Sequence, residues 1–388
     1  MPKKFKIIKF TAASFALKVA LRDQLRFLNE REFDVTMVSA DGPEVNEVIA
    51  YEGCPHIIIP ITRHLNPVND IITIYKLYKV LKRIKPLLIH SENLKSNLLG
   101  PIAAKLAGVP IRIQTMAGLV SPNVPGFKGW AIKMAEKVSC ISCTHVWPNG
   151  QSSLEYMAYN NICGLKKMEV IGKGSSNGVD LEKFNTDKLS VEKLAITHKQ
   201  IDKKQDEKIL LFTGRVVKDK GIEELIKVFE ILQQQYTNLK LVLLGPFEKE
   251  LDALTTETEN KIRQNPSIVH IAWTDEVEYF MASSTLLIHP SHREGFPNVL
   301  MQAGAMKLPV VCSDIMGNID MIRHNETGLL YKVKNEDELL DVLRFALNNT
   351  NEINKYANTF YDEVVQWYDR KKMCELYRKK YLSLIEAL

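Results

Sequence analysis

No run of eighteen apolar residues occurs in this sequence of 388 residues, so no segment reads as a helix able to span a bilayer. The N-terminus, MPKKFKIIKF, has lysines but no long apolar core and no small-residue cleavage site. It reads as a first strand rather than a signal peptide. Cysteine is scarce: the six residues are scattered, which argues against a disulfide framework and fits a reducing cytoplasm. Cys140 and Cys143 form a CxxC with His145 nearby. No second ligand pair stands at zinc-like spacing, so both are read as core residues. No Asp-x-Asp-like acidic pair falls at an expected strand end, and Asp275-Glu276 lies where a helix cap is expected; neither a metal nor a cofactor is expected. Internal repeats and low-complexity tracts are also missing.

What is present is ordinary for a soluble globular protein: 45% hydrophobic and 25% charged residues. The length calls for two domains. Charge is uneven between them. Residues 1–180 carry 23 Lys and Arg against 14 Asp and Glu, whereas residues 181–388 carry 28 against 32. One half is therefore suited to an anionic surface. No aromatic-plus-basic stripe or recognition motif supports nucleic acid, and an anionic membrane surface is the better fit.

Strands and helices alternate. In the first half, strands are expected at 5–10, 33–39, 56–59, 87–90 and 111–115, with helices at 15–30, 44–51, 70–84, 96–107 and 130–139. The rhythm restarts after residue 208. Strands are expected at 209–213, 239–244, 268–271, 286–289 and 310–312, and helices at 222–235, 250–264, 277–282, 298–306 and 336–347. The polar stretch 187–208 reads as surface. The pattern implies an α/β protein of two doubly wound, Rossmann-like domains, 1–180 and 181–355, facing across a cleft lined by strand C-terminal ends. The segment 356–388, with aromatics at roughly helical spacing, is expected to pack back on the N-terminal domain.

The stretch His289–Val311, HPSHREGFPNVLMQAGAMKLPVV, carries the most chemistry. A strand stops at Pro290, Glu294 follows on a polar turn, and Gly295-Phe296-Pro297-Asn298 leads into a helix. A helix start offers free N–H groups and partial positive charge to a phosphate, and a carboxylate accepts hydrogen bonds from sugar hydroxyls. Gln302, eight residues after Glu294, returns to about the same helix face. A second candidate is FTGRVVKDKGI at 212–222. Gly214 allows close approach, and Arg215 and Lys220 on the following loop suit a diphosphate. The histidines His90, His289 and His292, at or near strand ends, are read as structural.

GRVVKDKG, LVLLGP and HREGFPNVLMQAGAMKLPVV together resemble the C-terminal domain of glycosyltransferase family 4, retaining enzymes of the GT-B fold. The stretches 61–86, 98–115 and GKGSSNGVDLEKF at 172–184 resemble bacterial capsule, O-antigen and exopolysaccharide members. The resemblance implies that Arg215 and Lys220 neutralise the donor diphosphate, and that Glu294 meets the donor sugar hydroxyls. It also implies that backbone amides from Phe296 through Pro297 and Asn298 to Val299 approach the diphosphate, and that Ser14 lies on an N-terminal loop near the phosphates. Gln302 stands where a second Glu usually binds the ribose. Ala117 replaces a His that many members carry after the corresponding strand. Retaining transfer in this family is thought to need no protein nucleophile, so activity is expected without that His. The loop 119–128 and the cations Arg63, Lys76, Lys79, Lys82 and Arg83 fit either an acceptor surface or a solvated helix face.

The resulting expectation is a cytoplasmic enzyme, peripheral on the inner face of the membrane. It moves a sugar from a nucleotide-sugar donor, a UDP-sugar first, to a lipid-linked glycan acceptor on a polyprenyl diphosphate. The alternatives are a UDP-sugar 2-epimerase of similar fold and a non-catalytic nucleotide-sugar-binding protein.

Overall fold

Strands covered on both faces frame each half of the chain, which accounts for their near-continuous apolar runs. In this computed structural model, residues 4–62, 66–248 and 252–388 are described. One unit comprises the chain up to Gly178 together with Arg370–Leu388, the other Val179–Asp369.

In the first unit, β1 (Phe5–Thr11), β2 (Phe33–Ser39), β3 (His56–Ile58), β4 (Leu88–Glu92), β5 (Ile111–Met116) and β6 (His145–Pro148) form one sheet in the order β3-β2-β1-β4-β5-β6. Every pairing is parallel. The helices are α1 (Ser14–Ala20), α2 (Gln24–Asn29), α3 (Val45–Glu52), α4 (Pro67–Ile84), α5 (Leu94–Ala107), α6 (Gly126–Ser142) and α7 (Gln151–Tyr159). Successive strand residues serve opposite layers. Ile7 packs with Leu17, Leu25 and Leu28, and Ile8 packs with Leu77, Leu81 and Leu99. The single helix expected over 15–30 is broken. Asp23 takes a left-handed φ of +68°, and the Glu52 carboxylate accepts the amides of Asp23 and Arg26 at 2.8 Å, capping α2 from outside.

The second unit opens with α8 (Val191–Gln200), capped by Ser190, inside the stretch read as polar surface. It continues through β7 (Lys208–Thr213), α9 (Ile222–Gln233), β8 (Leu239–Leu244), α10 (Thr256–Gln264), β9 (Ile268–Ile271), α11 (Val277–Ala282) and β10 (Leu286–His289). After these come α12 (Asn298–Ala305), β11 (Val310–Ser313), β12 (Leu329–Tyr331), α13 (Glu336–Asn348) and α14 (Thr350–Trp367). Its parallel sheet runs β12-β11-β10-β7-β8-β9. Both sheets thus share the doubly wound order in which the first and fourth strands of each are neighbours.

The segment 356–388 does not act as one body, and the expectation for it is corrected. Phe360, Val364 and Tyr368 join the second unit's core beside Leu300 and Met301 of α12. Only the next helix, α15 (Arg370–Glu386), adds Met373, Tyr377 and Tyr381 to the first unit. The aromatics are apportioned between two cores, which their spacing alone does not reveal.

Beneath α15 lies a fully buried polar cluster. Lys9 Nζ is 2.7 Å from Glu92 Oε1 and donates to Gln24 Oε1 at 3.0 Å, while Tyr381 Oη is 2.5 Å from His90 Nδ1. His90 Nε2 lies 2.7 Å from Thr115 Oγ1. Burial pushes Lys9 below its ordinary value, with Glu92 acting in the other direction. Burial, with help from the Lys9 charge, holds His90 well below its own ordinary value. A buried charge is tolerable only when paired, so removing one partner is costly. Lys9→Met strands Glu92 and is expected to lower unfolding stability by about 3–5 kcal/mol in urea titration; an unchanged midpoint contradicts this account.

Candidate active site

β7 and β10 are neighbours in the second sheet, with Leu210 opposite Leu286. Their connections run to opposite sides, which opens a crevice beyond their C-terminal ends. Two loops meet there. The loop after β7 ends in a tight turn, Lys218–Lys220, closed by Gly221 at φ +70°. A Cβ on Gly221 would lie 2.1 Å from the Pro290 carbonyl oxygen, so only glycine lets this loop touch the one after β10. The contact is latched by several bonds. The His292 amide donates to the Asp219 carbonyl at 2.8 Å, and Arg293 Nε and Nη2 donate to Asp219 Oδ2 at 3.0 and 2.8 Å. His292 Nε2 lies 2.9 Å from Glu224 Oε1. Ser313 Oγ donates to the Ser291 carbonyl at 2.5 Å.

The latch brings together two of the residues singled out in the sequence. Lys220 Nζ sits 2.5 Å from Glu294 Oε1, and each side chain is only 15% exposed. Burial alone would raise the Glu294 carboxyl. The Lys220 ammonium and His289 outweigh it and hold the group well below the usual carboxylate range.

His289 is the residue that the sequence reading missed. Its ring is 3% exposed, Nε2 is 3.1 Å from Glu294 Oε1, and Nδ1 has no hydrogen-bond partner among the described residues. A buried ring with one nitrogen against a charged pair and the other unsatisfied calls for an explanation that packing does not supply. The available signal was its place as the last residue of a strand, five before Glu294; its burial could not be read.

The remaining candidates divide by what they touch. Gly295 approaches Gly317 so closely that a Cβ on Gly317 would lie 2.4 Å from the Gly295 carbonyl oxygen. Phe296 and Val299 are core residues, the former against Tyr368 at 5.6 Å between ring centroids, so what they can offer a ligand is backbone. Pro297 precedes α12, whose first amides have no side-chain cap, and Asn298 is exposed. Gln302 is half-buried and makes no side-chain hydrogen bond among the described residues. Gly214 takes φ +151°, and Arg215 turns to Glu248, with Nη1 2.5 Å from Oε2. Ser14, in the first unit, donates to Glu44 Oε2 at 2.9 Å. Arg63 lies outside the described residues. Lys79 sits 4.5 Å over the Tyr75 ring on α4. Cys140 and Cys143 are buried free thiols, and no group of three metal-ligating side chains is placed to hold an ion among the described residues. No helix among them is long and apolar enough to cross a membrane.

Residues 195–362 match the family described as glycosyl transferases group 1, and residues 10–144 match glycosyl transferase 4-like. A capsular polysaccharide biosynthesis glycosyltransferase, CapM of Staphylococcus aureus, is 33% identical over 310 residues, covering 80% of this chain and 79% of CapM. The chain belongs to the group 1 glycosyltransferases. This glycosyltransferase is also 21% identical over 377 residues to an Escherichia coli UDP-Gal:α-D-GlcNAc-diphosphoundecaprenol α-1,3-galactosyltransferase, covering 95% and 93% of the two chains. Its fold is GT-B. Anabaena HepE, solved in complex with UDP, superposes with a TM-score of 0.78 at 17% identity, over 98% of this chain and 100% of HepE.

The Glu294 shift has a pH signature. Its folded carboxyl titrates below the ordinary value of 4.5, so the pair's stabilisation is complete above that pH and is lost as pH falls below it. Glu294→Gln is therefore expected to unfold at a lower temperature than wild type at pH 7, with the gap shrinking towards pH 3. A gap that is constant across this range in thermal melts contradicts the assignment.

Proposed function

We propose that this glycosyltransferase moves a sugar from a UDP-sugar to a glycan carried on a polyprenyl diphosphate, with retention at the anomeric carbon, in synthesis of a surface polysaccharide. The observation that carries the reading is the group Lys220, Glu294 and His289 at a strand-end crevice, beside the uncapped start of α12. One relative is a capsule enzyme and another uses a diphosphoundecaprenol acceptor, which supports the choice of substrates.

In this reading Lys220 and Arg215 neutralise charge on the departing diphosphate, and the amides at the start of α12 add donors aimed at the same oxygens. Glu294 accepts hydrogen bonds from donor sugar hydroxyls, which fixes the sugar over the crevice. Gln302 hydrogen-bonds the ribose without adding charge. The bond from the anomeric carbon to the diphosphate oxygen breaks as the bond to the acceptor hydroxyl oxygen forms. The hydroxyl proton passes to the leaving diphosphate, so Ala117 in place of a histidine costs no essential step. Ser14 contributes to donor binding near the phosphates, and the cations Lys76, Lys79, Lys82 and Arg83 of α4 stand on the acceptor side. The enzyme works at the cytoplasmic face of an anionic membrane.

Purified protein incubated with a panel of nucleotide sugars is expected to hydrolyse or transfer from a UDP-sugar. Inversion of the free donor at C2, or binding without turnover, would overturn the proposal. Lys220→Ala and Glu294→Ala are each expected to lower turnover at least ~100-fold, since each removes a charged contact to the transition state. Wild-type rates in both variants sink the site assignment.

A further inference from the structure

Helix α6 turns an apolar stripe to solvent. Phe127 is 80% exposed, Trp130 57%, Val138 46% and Ile141 65%, and Ala131 and Met134 fill the line between them at three- and four-residue spacing. From Phe127 to Ile141 the stripe runs along the helix for about 21 Å. The Phe127 and Trp130 rings stack on each other, with centroids 5.5 Å apart. Beyond the helix end, Leu165, 64% exposed, continues the surface beside a cavity of about 360 Å³ that Ile141, Ile162 and Lys166 also line. A contiguous exposed band of this kind marks an interaction surface.

Charge decides the partner. Lys128, Lys133 and Lys137 flank the stripe. The one acid of the helix, Glu136, is 1% exposed and is occupied by the Ser121 hydroxyl at 2.7 Å and by the amides of Val120 and Ser121. The accessible charges of α6 are thus all positive. Two copies laid stripe to stripe would bring like charges together, whereas an anionic lipid surface meets both the lysines and the apolar seam.

We propose that α6 is the membrane-docking element, lying in the plane of an anionic bilayer. Phe127 and Trp130 then enter the boundary between headgroups and acyl chains, and Lys128 and Lys137 lie among the lipid phosphates. The proposal deepens the lipid-linked acceptor reading and rests on it, because a soluble acceptor leaves the stripe without a use.

The test is sedimentation of the full chain with vesicles, without donor or acceptor. Wild type is expected to bind phosphatidylglycerol-containing vesicles and to bind pure phosphatidylcholine about tenfold less. The double variant Phe127→Ser/Trp130→Ser is expected to lose about tenfold or more of the anionic binding, with its circular dichroism unchanged. Lys332→Glu/Lys334→Glu, at exposed lysines of the second unit, is expected to keep most of it. Brominated lipids are expected to quench tryptophan emission in wild type and much less in Trp130→Phe. Any of three results overturns the proposal: no vesicle binding by wild type, binding that survives the α6 double variant, or a dimer in light scattering that this variant dissolves. Donor turnover with a water-soluble acceptor, measured on the same proteins, separates the two readings. Intact turnover without vesicle binding refutes the docking helix alone, and vesicle binding without turnover refutes the transfer reaction alone.

Discussion

Two parallel neighbours whose chains depart in opposite directions impose the constraint on which the site rests. β7 and β10 must be adjacent for the second sheet to be doubly wound, and their chains part beyond the C-terminal ends. The protein fills the gap between them with charge rather than with a side-chain core. Lys220 and Glu294 approach to 2.5 Å while largely sheltered from water, where their attraction is screened little. Neither residue chooses its own position. Gly221 lets the two loops touch, Asp219 holds the amide of His292 and the guanidinium of Arg293, and the charged pair closes as a result. A cation held in this way has already lost its rotamer freedom before any anion arrives.

The first sheet has the same topology and puts an ion pair across the corresponding strands, β1 and β4, to a different end. There the side chains of Lys9 and Glu92 are 0% and 4% exposed and sealed beneath Tyr377 and Tyr381. The difference in access separates a pair that holds the fold from one that can meet a ligand. Topology offers the place, and the element packed over it determines the use.

Much of this was legible in the sequence because it depends on short-range pattern. Apolar runs of strand length between amphipathic segments gave both α/β halves, and Glu294 and Lys220 stood out by following a strand end. What was hidden depends on tertiary burial. β6 begins in a histidine and ends in a proline, and β12 is three residues long, so neither shows a run. The break at Asp23 is imposed by Glu52, a residue 29 positions away. His289 reads as the polar end of a strand, and only the fold turns it onto Glu294. The ion pair of Arg215 with Glu248, brought near by the end of β8, joins residues 33 positions apart and shows in no local pattern.

α15 closes a core whose other members lie before Gly178, and the whole second unit intervenes between them in the chain. On the ribosome, the face of β1, β2 and β4 that awaits Tyr377 and Tyr381 is made first and covered last. At about 5–20 residues per second, synthesis of the intervening segment takes on the order of 10–40 s. During that interval Lys9 and His90 have no tyrosine lid and the first unit's apolar face is uncovered, while the second unit, whose strands and helices are contiguous in sequence, can fold as it emerges.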